Sequence, residues 1–204
     1  MEINVTNNLP YDVEVRTVQT FDGSVTIILS EAKSRILGDV KPGSVVKIGN
    51  REYIVLGHAE ETTAVITKDF TKEMEFGQSG DYLTSDVRKY CNSEFYNELV
   101  AVVGTENIVK HTVKLVADDG TGKGKTCRDN VSIITAENYR RYREYLPIPN
   151  KSYWVATGIT TFDETFAHYV CSVCSDGILR WNDCGYSHGV RPFCILNSSI
   201  PLSD

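Results

Sequence analysis

The chain has 204 residues and a formal net charge of −6, with 41% hydrophobic and 24% charged residues. These proportions are typical of a globular protein and exclude disordered, collagen-like and disulfide-dense chains. Lys and Arg are nowhere gathered into the stripe that phosphate neutralisation requires, so direct nucleic-acid binding is not expected.

The first 38 residues predict a small β element. Apolar and polar residues alternate in short runs at 3–5, 13–18 and 25–29, the last following the turn Asp22-Gly23. Period-two alternation with β-branched residues is typical of strands. Residues 1–38 are therefore expected to form an N-terminal β appendage, a candidate for docking or homo-oligomerisation, ahead of a main domain at 39–204.

The main domain opens with a predicted hairpin. Two apolar runs at 45–48 and 53–58 flank Gly49-Asn50, and a third strand is expected at 64–67. The capping residues at 84–86 then precede apolar residues spaced by four, which predicts one helix, or two short ones broken at Asn92-Ser93, ending near Gly104.

The second half continues with a polar loop and a strand at 131–134. A helix follows from Thr135 until Pro147 stops it, and β patterning returns from Tyr153 to Leu196. Strands segregated from two or three helices predict an α+β fold with mostly antiparallel sheets.

Several segments resemble an uncharacterised domain family of phages and gut bacteria. They are the hairpin at 43–56, the stretch Asp86 to Asn97 (DVRKYCNSEFYN), loosely the stretch 120–137, then 153–154 and 169–177, and the closing block 189–196, which begins Gly189-Val190-Arg191-Pro192. The resemblance covers roughly residues 40–197, and the closing block is its most specific part. It implies a C-type-lectin-like fold, similar to that of formylglycine-generating enzymes and of retroelement variable proteins. Where those relatives have a Trp-Leu-Arg-Ser stretch, this chain has residues 154–158 (WVATG) without the Arg.

The closing block also predicts a structural role from its residue types. Gly189 permits a close backbone approach, Arg191 offers five donors to loop carbonyls, and Pro192 fixes the entry into the last strand. Trp154 is expected in the core beside them.

A phosphate-binding loop at 120–126 is not expected. The segment ends in Gly-Lys-Thr, but the first Gly of the pattern would fall on Asp119, and Asp118 would also repel phosphate.

Four cysteines and one histidine in the last part of the chain match the residue types of a metal site or a catalytic thiol. Cys171, Cys174, Cys184, His188 and Cys194 offer zinc-type ligands, and Cys184 with His188 could be a nucleophile and base. Residues three apart on a strand point to opposite faces, and nothing orients the His. We therefore expect no metal, no cofactor and no catalytic residue, and free thiols. The neighbouring carboxylates Asp163 and Glu164 are expected in a solvated turn.

The residues around the final loop favour ligand binding. Aromatic rings supply contact area at low entropic cost, and small polar residues supply adaptable hydrogen bonds. The candidate binding residues are Phe162, Trp181, Asn182, Asp183, Tyr186, Ser187 and His188. The leading hypothesis is a non-enzymatic binding module of phage or mobile-element origin that holds a protein or glycan.

Two alternatives stay open. One is a small inhibitor of a host defence or nucleic-acid enzyme, like an anti-CRISPR protein. The other is a formylglycine-generating-like oxidase. The N-terminus has no signal-peptide pattern, and no apolar run reaches membrane-spanning length. A cytoplasmic or virion-associated location without membrane contact is expected.

Overall fold

A computed structural model describes residues 13–19, 25–31, 35–161 and 164–202. The chain divides into two compact units, Met1–Arg35 and Ile36–Asp204. In the first, β1 (Val13–Gln19) and β2 (Val25–Glu31) pair as an antiparallel ribbon. These strands confirm the predicted runs at 13–18 and 25–29, whereas the run at 3–5 lies outside the described residues.

The second unit begins at Ile36. Ile36 forms a β-bridge with Pro201, and Leu37 is fully buried in the core. The amide N–H groups of Leu37 and Gly38 donate to the carbonyls of Ile200 and Ser198. The start of this unit is thus held against its C-terminal end.

The second unit is α+β with mostly antiparallel sheets, as predicted. A six-stranded sheet has the order β10-β15-β5-β4-β3, with β7 also paired to β15. Its strands are β3 (Val45–Ile48), β4 (Arg51–Ala59), β5 (Thr62–Thr67), β7 (Ile108–Val109), β10 (Val131–Ile133) and β15 (Pro192–Asn197). The predicted strands at 45–48, 53–58, 64–67 and 131–134 are confirmed within this sheet.

A five-stranded sheet has the order β13-β12-β11-β14-β6. Its strands are β6 (Lys72–Met74), β11 (Tyr153–Gly158), β12 (Tyr169–Val173), β13 (Leu179–Asp183) and β14 (His188–Val190). Its pairs are antiparallel except β11 with β14, which pair in parallel with Tyr153 opposite Gly189.

A separate ribbon lies where the sequence indicated a loop. β8 (His111–Lys114) and β9 (Thr126–Asp129) pair antiparallel, with Thr112 opposite Arg128 and Lys114 opposite Thr126. The polar-loop prediction was therefore wrong for these strands. Their inward side chains are buried or half-buried and their outward ones exposed, so the ribbon is amphipathic.

The long helical segment is continuous but irregular. It comprises α1 (Asp86–Tyr90), a π-helical turn (Cys91–Phe95) and α2 (Tyr96–Val103), with Ser85 accepting from the Arg88 amide as N-cap. The predicted break at Asn92-Ser93 is this π turn, a common irregularity inside α-helices. The later helix, α3 (Ala136–Arg141), is shorter than predicted and continues as a 3₁₀ turn, Arg143–Tyr145.

Two hydrophobic clusters fill the second unit. The first joins the long helical segment to both sheets through side chains such as Phe95, Val55 and Trp154. The second packs α3 against both sheets, with Tyr139, Tyr153 and Cys171 among its members. Trp154 and Tyr153 belong to different clusters because neighbours on a strand point to opposite faces. None of the helices in the described ranges is long and apolar enough to cross a membrane.

Candidate functional site

The closing block lies in the core of the second unit. Gly189 sits between β11 and β6, and a Cβ built on it would lie 2.6 Å from the Phe70 ring. Pro192 is buried at the start of β15, opposite Ile133. A ring that approaches the backbone so closely explains why the position suits glycine.

Arg191 is a buried cation that ties two sheets together. Its side chain is 2% exposed, and its Nε donates to the Thr67 carbonyl at 2.9 Å. Its guanidinium carbon lies 5.1 Å from the centroid of the Tyr153 ring, which is cation–π range. Burial lowers the pKa of Arg191, and the nearby Tyr153 phenol opposes that change.

A row of three rings runs from this core towards the surface. Trp154 is fully buried, and its Nε1 donates to the Met74 carbonyl at 3.0 Å. Its ring centroid lies 4.4 Å from that of His188, which in turn lies 6.5 Å from that of Tyr186. Tyr186 is 59% exposed. The outermost ring, that of Tyr186, is therefore exposed to solvent and is supported from beneath by His188 and Trp154.

The imidazole of His188 is held in one orientation. Its Nδ1 makes a 2.9 Å hydrogen bond with the Ser187 carbonyl, which requires this nitrogen to carry the proton. Its Nε2 is buried without a hydrogen-bond partner in the described part of the chain. Burial lowers the pKa of His188 below its usual value of 6.5, so the ring is neutral at pH 7.

We expect stability to fall when the pH drops from 7 to 5. Burial also lowers the pKa of His111, so below about pH 6.5 the unfolded chain takes up protons at His111 and His188 that the folded chain refuses. The free energy of unfolding therefore decreases as these histidines are protonated in the unfolded chain. Urea titrations at both pH values measure this change. His188→Gln should reduce the decrease, and an equal decrease in the variant and the wild type contradicts the assignment.

The candidate residues on β13 divide between the two faces of the sheet. Trp181 lies opposite Cys171, whereas Asn182 lies opposite Val170 and donates from its Nδ2 to the Ser172 Oγ at 2.7 Å. Asn182 therefore shares the face of Trp154, and Trp181 lies on the other. Trp181 is 58% exposed. The predicted set is not one continuous patch on one face but two groups that meet around β13.

The outer edge of β13 carries backbone groups that pair with no strand among the described residues. The bonds from the Cys174 amide to the Ile178 carbonyl and from the Cys184 amide to the His168 carbonyl fix which pairs exchange hydrogen bonds with β12. Because such pairs alternate in an antiparallel ladder, the N–H and C=O of Leu179 and Trp181 point away from β12. No described strand pairs with that edge.

The loop between β13 and β14 is shaped by Asp183. Its Oδ1 accepts from the Gly185 amide at 2.9 Å, and its carbonyl accepts from the Tyr186 amide at 3.0 Å. Ser187 is exposed beside them. Phe162 and Asp163 lie outside the described residues, and of Glu164 only the backbone is described, in a 3₁₀ turn.

The thiols do not form the ligand or nucleophile sets considered from the sequence. All six cysteines are free, and no cluster of three metal-ligating side chains occurs among the residues with described positions. Burial raises the pKa of Cys184, and raises those of Cys171 and Cys194 to about 12. Such thiols are almost wholly protonated at pH 7, which disfavours nucleophilic attack.

The segment at 120–126 leads into β9. It forms the later part of the connection from β8 and ends on Thr126, the first residue of β9; within it the carbonyl of Thr121 accepts from the Ala117 amide at 3.0 Å. A phosphate-binding loop needs a helix at its end, and here a strand follows. The rejection of that motif agrees with the structure.

Comparison with known proteins adds no relative: no protein-family model, no curated protein and no solved structure matches the chain.

Sequence reasoning missed a cationic groove of about 460 Å³ between α1 and β9. Its free cations come from positions 89, 110 and 128, so no basic run marks them in the sequence. Alternation at 111–114 and 126–129 was the one signal that could have placed Arg128 on a ribbon.

Proposed function

We propose that this chain is a non-enzymatic binding module that holds a protein or glycan around the outer edge of β13 and the loop that follows it. The observation that carries the proposal is Trp181, a large aromatic side chain 58% exposed on a strand whose outer edge pairs with no described strand. Exposed aromatic side chains on rigid elements are typical energetic centres of binding surfaces.

The free edge favours a protein over a glycan as partner. The backbone groups of Leu179 and Trp181 offer hydrogen bonds at the spacing of an extended chain, which a peptide strand complements by β-addition. Exposed strand edges are usually protected by proline, bulges or short length, and the five residues of β13 contain neither proline nor a register shift.

One partner can contact both groups of candidate residues, because they lie on the two faces of the same edge strand. Trp181 and Tyr186 lie on different sides of the sheet, and an edge strand leaves both sides accessible to one partner that wraps around it. Tyr186 is backed by His188 and Trp154, so little conformational entropy is lost when its ring is covered.

The C-type-lectin-like fold and the phage origin belong to the same proposal. An α+β unit with antiparallel sheets and a closing hairpin that presents a loop is compatible with that fold. In this view the module acts inside a host cell or on a virion.

The raised thiol pKa values support binding over the oxidase alternative. Formylglycine-generating chemistry needs a reactive cysteine, and burial raises the pKa of Cys171, Cys184 and Cys194. A thiol titration at pH 7 that finds a fast-reacting cysteine would favour the oxidase instead.

Trp181→Ala is expected to weaken partner binding by about 30-fold, the effect of removing a hot-spot aromatic residue. Immobilised wild-type protein and a glycan array would identify the partner, and calorimetric titration of the purified partner would measure the affinity. The identity of the captured partner distinguishes a surface receptor from a host defence or nucleic-acid enzyme.

Ile148→Ala is the matched control, because Ile148 is an apolar side chain 62% exposed on the connection that precedes β11 and is not part of β13. It should leave the affinity within about 2-fold, the usual outcome for surface positions outside a hot spot. If Trp181→Ala and Ile148→Ala bind the partner equally well, β13 is not the binding surface.

A further inference from the structure

A second surface of the molecule, distinct from β13, concentrates positive charge. Four cationic side chains and one carboxylate line the groove between α1 and β9: Arg88, Lys89, Lys110, Arg128 and Asp129. The chain as a whole carries a net charge of −6. The groove is therefore a positively charged region on a protein whose net charge is negative.

The one carboxylate of the groove is already neutralised. Asp129 is 2% exposed and accepts from Nε and Nη2 of Arg88 at 3.1 and 2.7 Å. Lys89, Lys110 and Arg128 form no ion pair within the described ranges. Three exposed cations thus surround a groove that holds no free anion of its own.

Hydrogen bonds hold the backbone beneath these cations in a fixed position. Asn92 on the π turn donates to the carbonyls of Arg88 and Val131 and accepts from the Asn130 amide, which joins the helix to β10. The Arg128 guanidinium lies against the Lys110 carbonyl at 3.5 Å. Three like charges in one place repel one another, and a bound anion would relieve that repulsion.

The positive surface continues along the ribbon. Thr112 lies opposite Arg128 and Lys114 opposite Thr126, so Arg128 and Lys114 are diagonal neighbours on the outward face, roughly 7 Å apart. Alternate side chains of an extended peptide repeat at about the same distance. Carboxylates two residues apart on such a peptide can meet both cations.

We propose that this groove binds an acidic peptide segment of a protein partner through Lys89, Lys110 and Arg128. A volume of about 460 Å³ accommodates a few side chains of a peptide. No aromatic ring of the described residues lines the groove, so these residues offer nucleic-acid bases nothing to stack on, and three free cations are few for a phosphate backbone. The inference is independent of β13 and of the function proposed for it.

Fluorescence anisotropy with a labelled decaglutamate peptide tests the proposal at low salt, about 50 mM, where screening is weak. Lys110→Glu with Arg128→Glu should weaken peptide binding by at least 10-fold, the combined effect of losing two ion pairs and adding repulsion. The milder pair Lys110→Gln with Arg128→Gln should weaken it by several-fold. A decaglutamine peptide should not bind.

The matched control is Lys41→Glu with Lys47→Glu, which makes the same charge change at two exposed lysines elsewhere. It should stay within about 2-fold of wild type, because neither lysine lines the groove. Equal weakening by both charge-reversed pairs overturns the proposal, since it would reflect net charge alone. Tighter binding of a single-stranded oligonucleotide than of decaglutamate, or self-association that the Arg128 variants abolish, would also overturn it and give the groove a different occupant.

Discussion

Asp129→Ala should lower the free energy of unfolding by about 3–5 kcal/mol, the range for breaking a buried ion pair from one side. The carboxylate of Asp129 is 2% exposed and receives both Nε and Nη2 of Arg88. This pairing raises the pKa of Arg88 above its usual range. Without the carboxylate, a partly buried guanidinium loses its counter-charge and two hydrogen bonds.

Two comparisons make that result interpretable. Asp118→Ala removes the exposed ion pair with Arg140 and should cost less than about 1 kcal/mol. Asp129→Leu combined with Arg88→Met replaces both charges and should recover much of the loss, since an apolar pair can substitute for a buried ion pair. Urea unfolding at pH 7 measures all three. Equal losses for Asp129→Ala and Asp118→Ala would show that the buried pair does not hold α1 to β9.

The strands of the second unit could be predicted where short runs rich in apolar and β-branched residues lie next to clear turns. The hairpin around Gly49-Asn50 and the strands at 64–67 and 131–134 contain such runs, and all were found. The ribbon of β8 and β9 was missed because its outward positions are threonine, lysine and arginine, which look like a loop when the partner strand is eleven residues away.

Local patterns also could not reveal which elements meet. Arg88 and Asp129 are separated by 41 positions, and their pairing depends on how the helix packs on the ribbon. Likewise, the sequence placed Trp181 and Asn182 in one binding set because they are neighbours, although strand geometry sends them to opposite faces. Exposure of Trp181 depends on β13 being the last strand of its sheet, a property of the topology.

Trp154→Ala should cost about 3–5 kcal/mol, the usual effect of removing a buried Trp side chain. Trp154 is fully buried, its ring centroid lies 5.5 Å from that of Phe76, and its Nε1 donates to the Met74 carbonyl. Trp154→Phe keeps most of the packing and loses the hydrogen bond, so it should cost roughly 1–2 kcal/mol. Trp181→Ala, at an exposed site, should change stability by less than about 0.5 kcal/mol.

Fluorescence supplies an independent check, because Trp154 and Trp181 are the two tryptophans of the chain. Trp154→Phe leaves the exposed indole alone, so its emission should shift to longer wavelength and be quenched readily by acrylamide. Trp181→Phe leaves the buried indole, with emission at shorter wavelength and little quenching. If both single-tryptophan proteins are quenched equally, Trp181 is not presented to solvent, and the binding surface proposed on β13 loses its central residue. If only Trp154→Phe is readily quenched, the aromatic side chain that a partner would cover is free in the unbound protein.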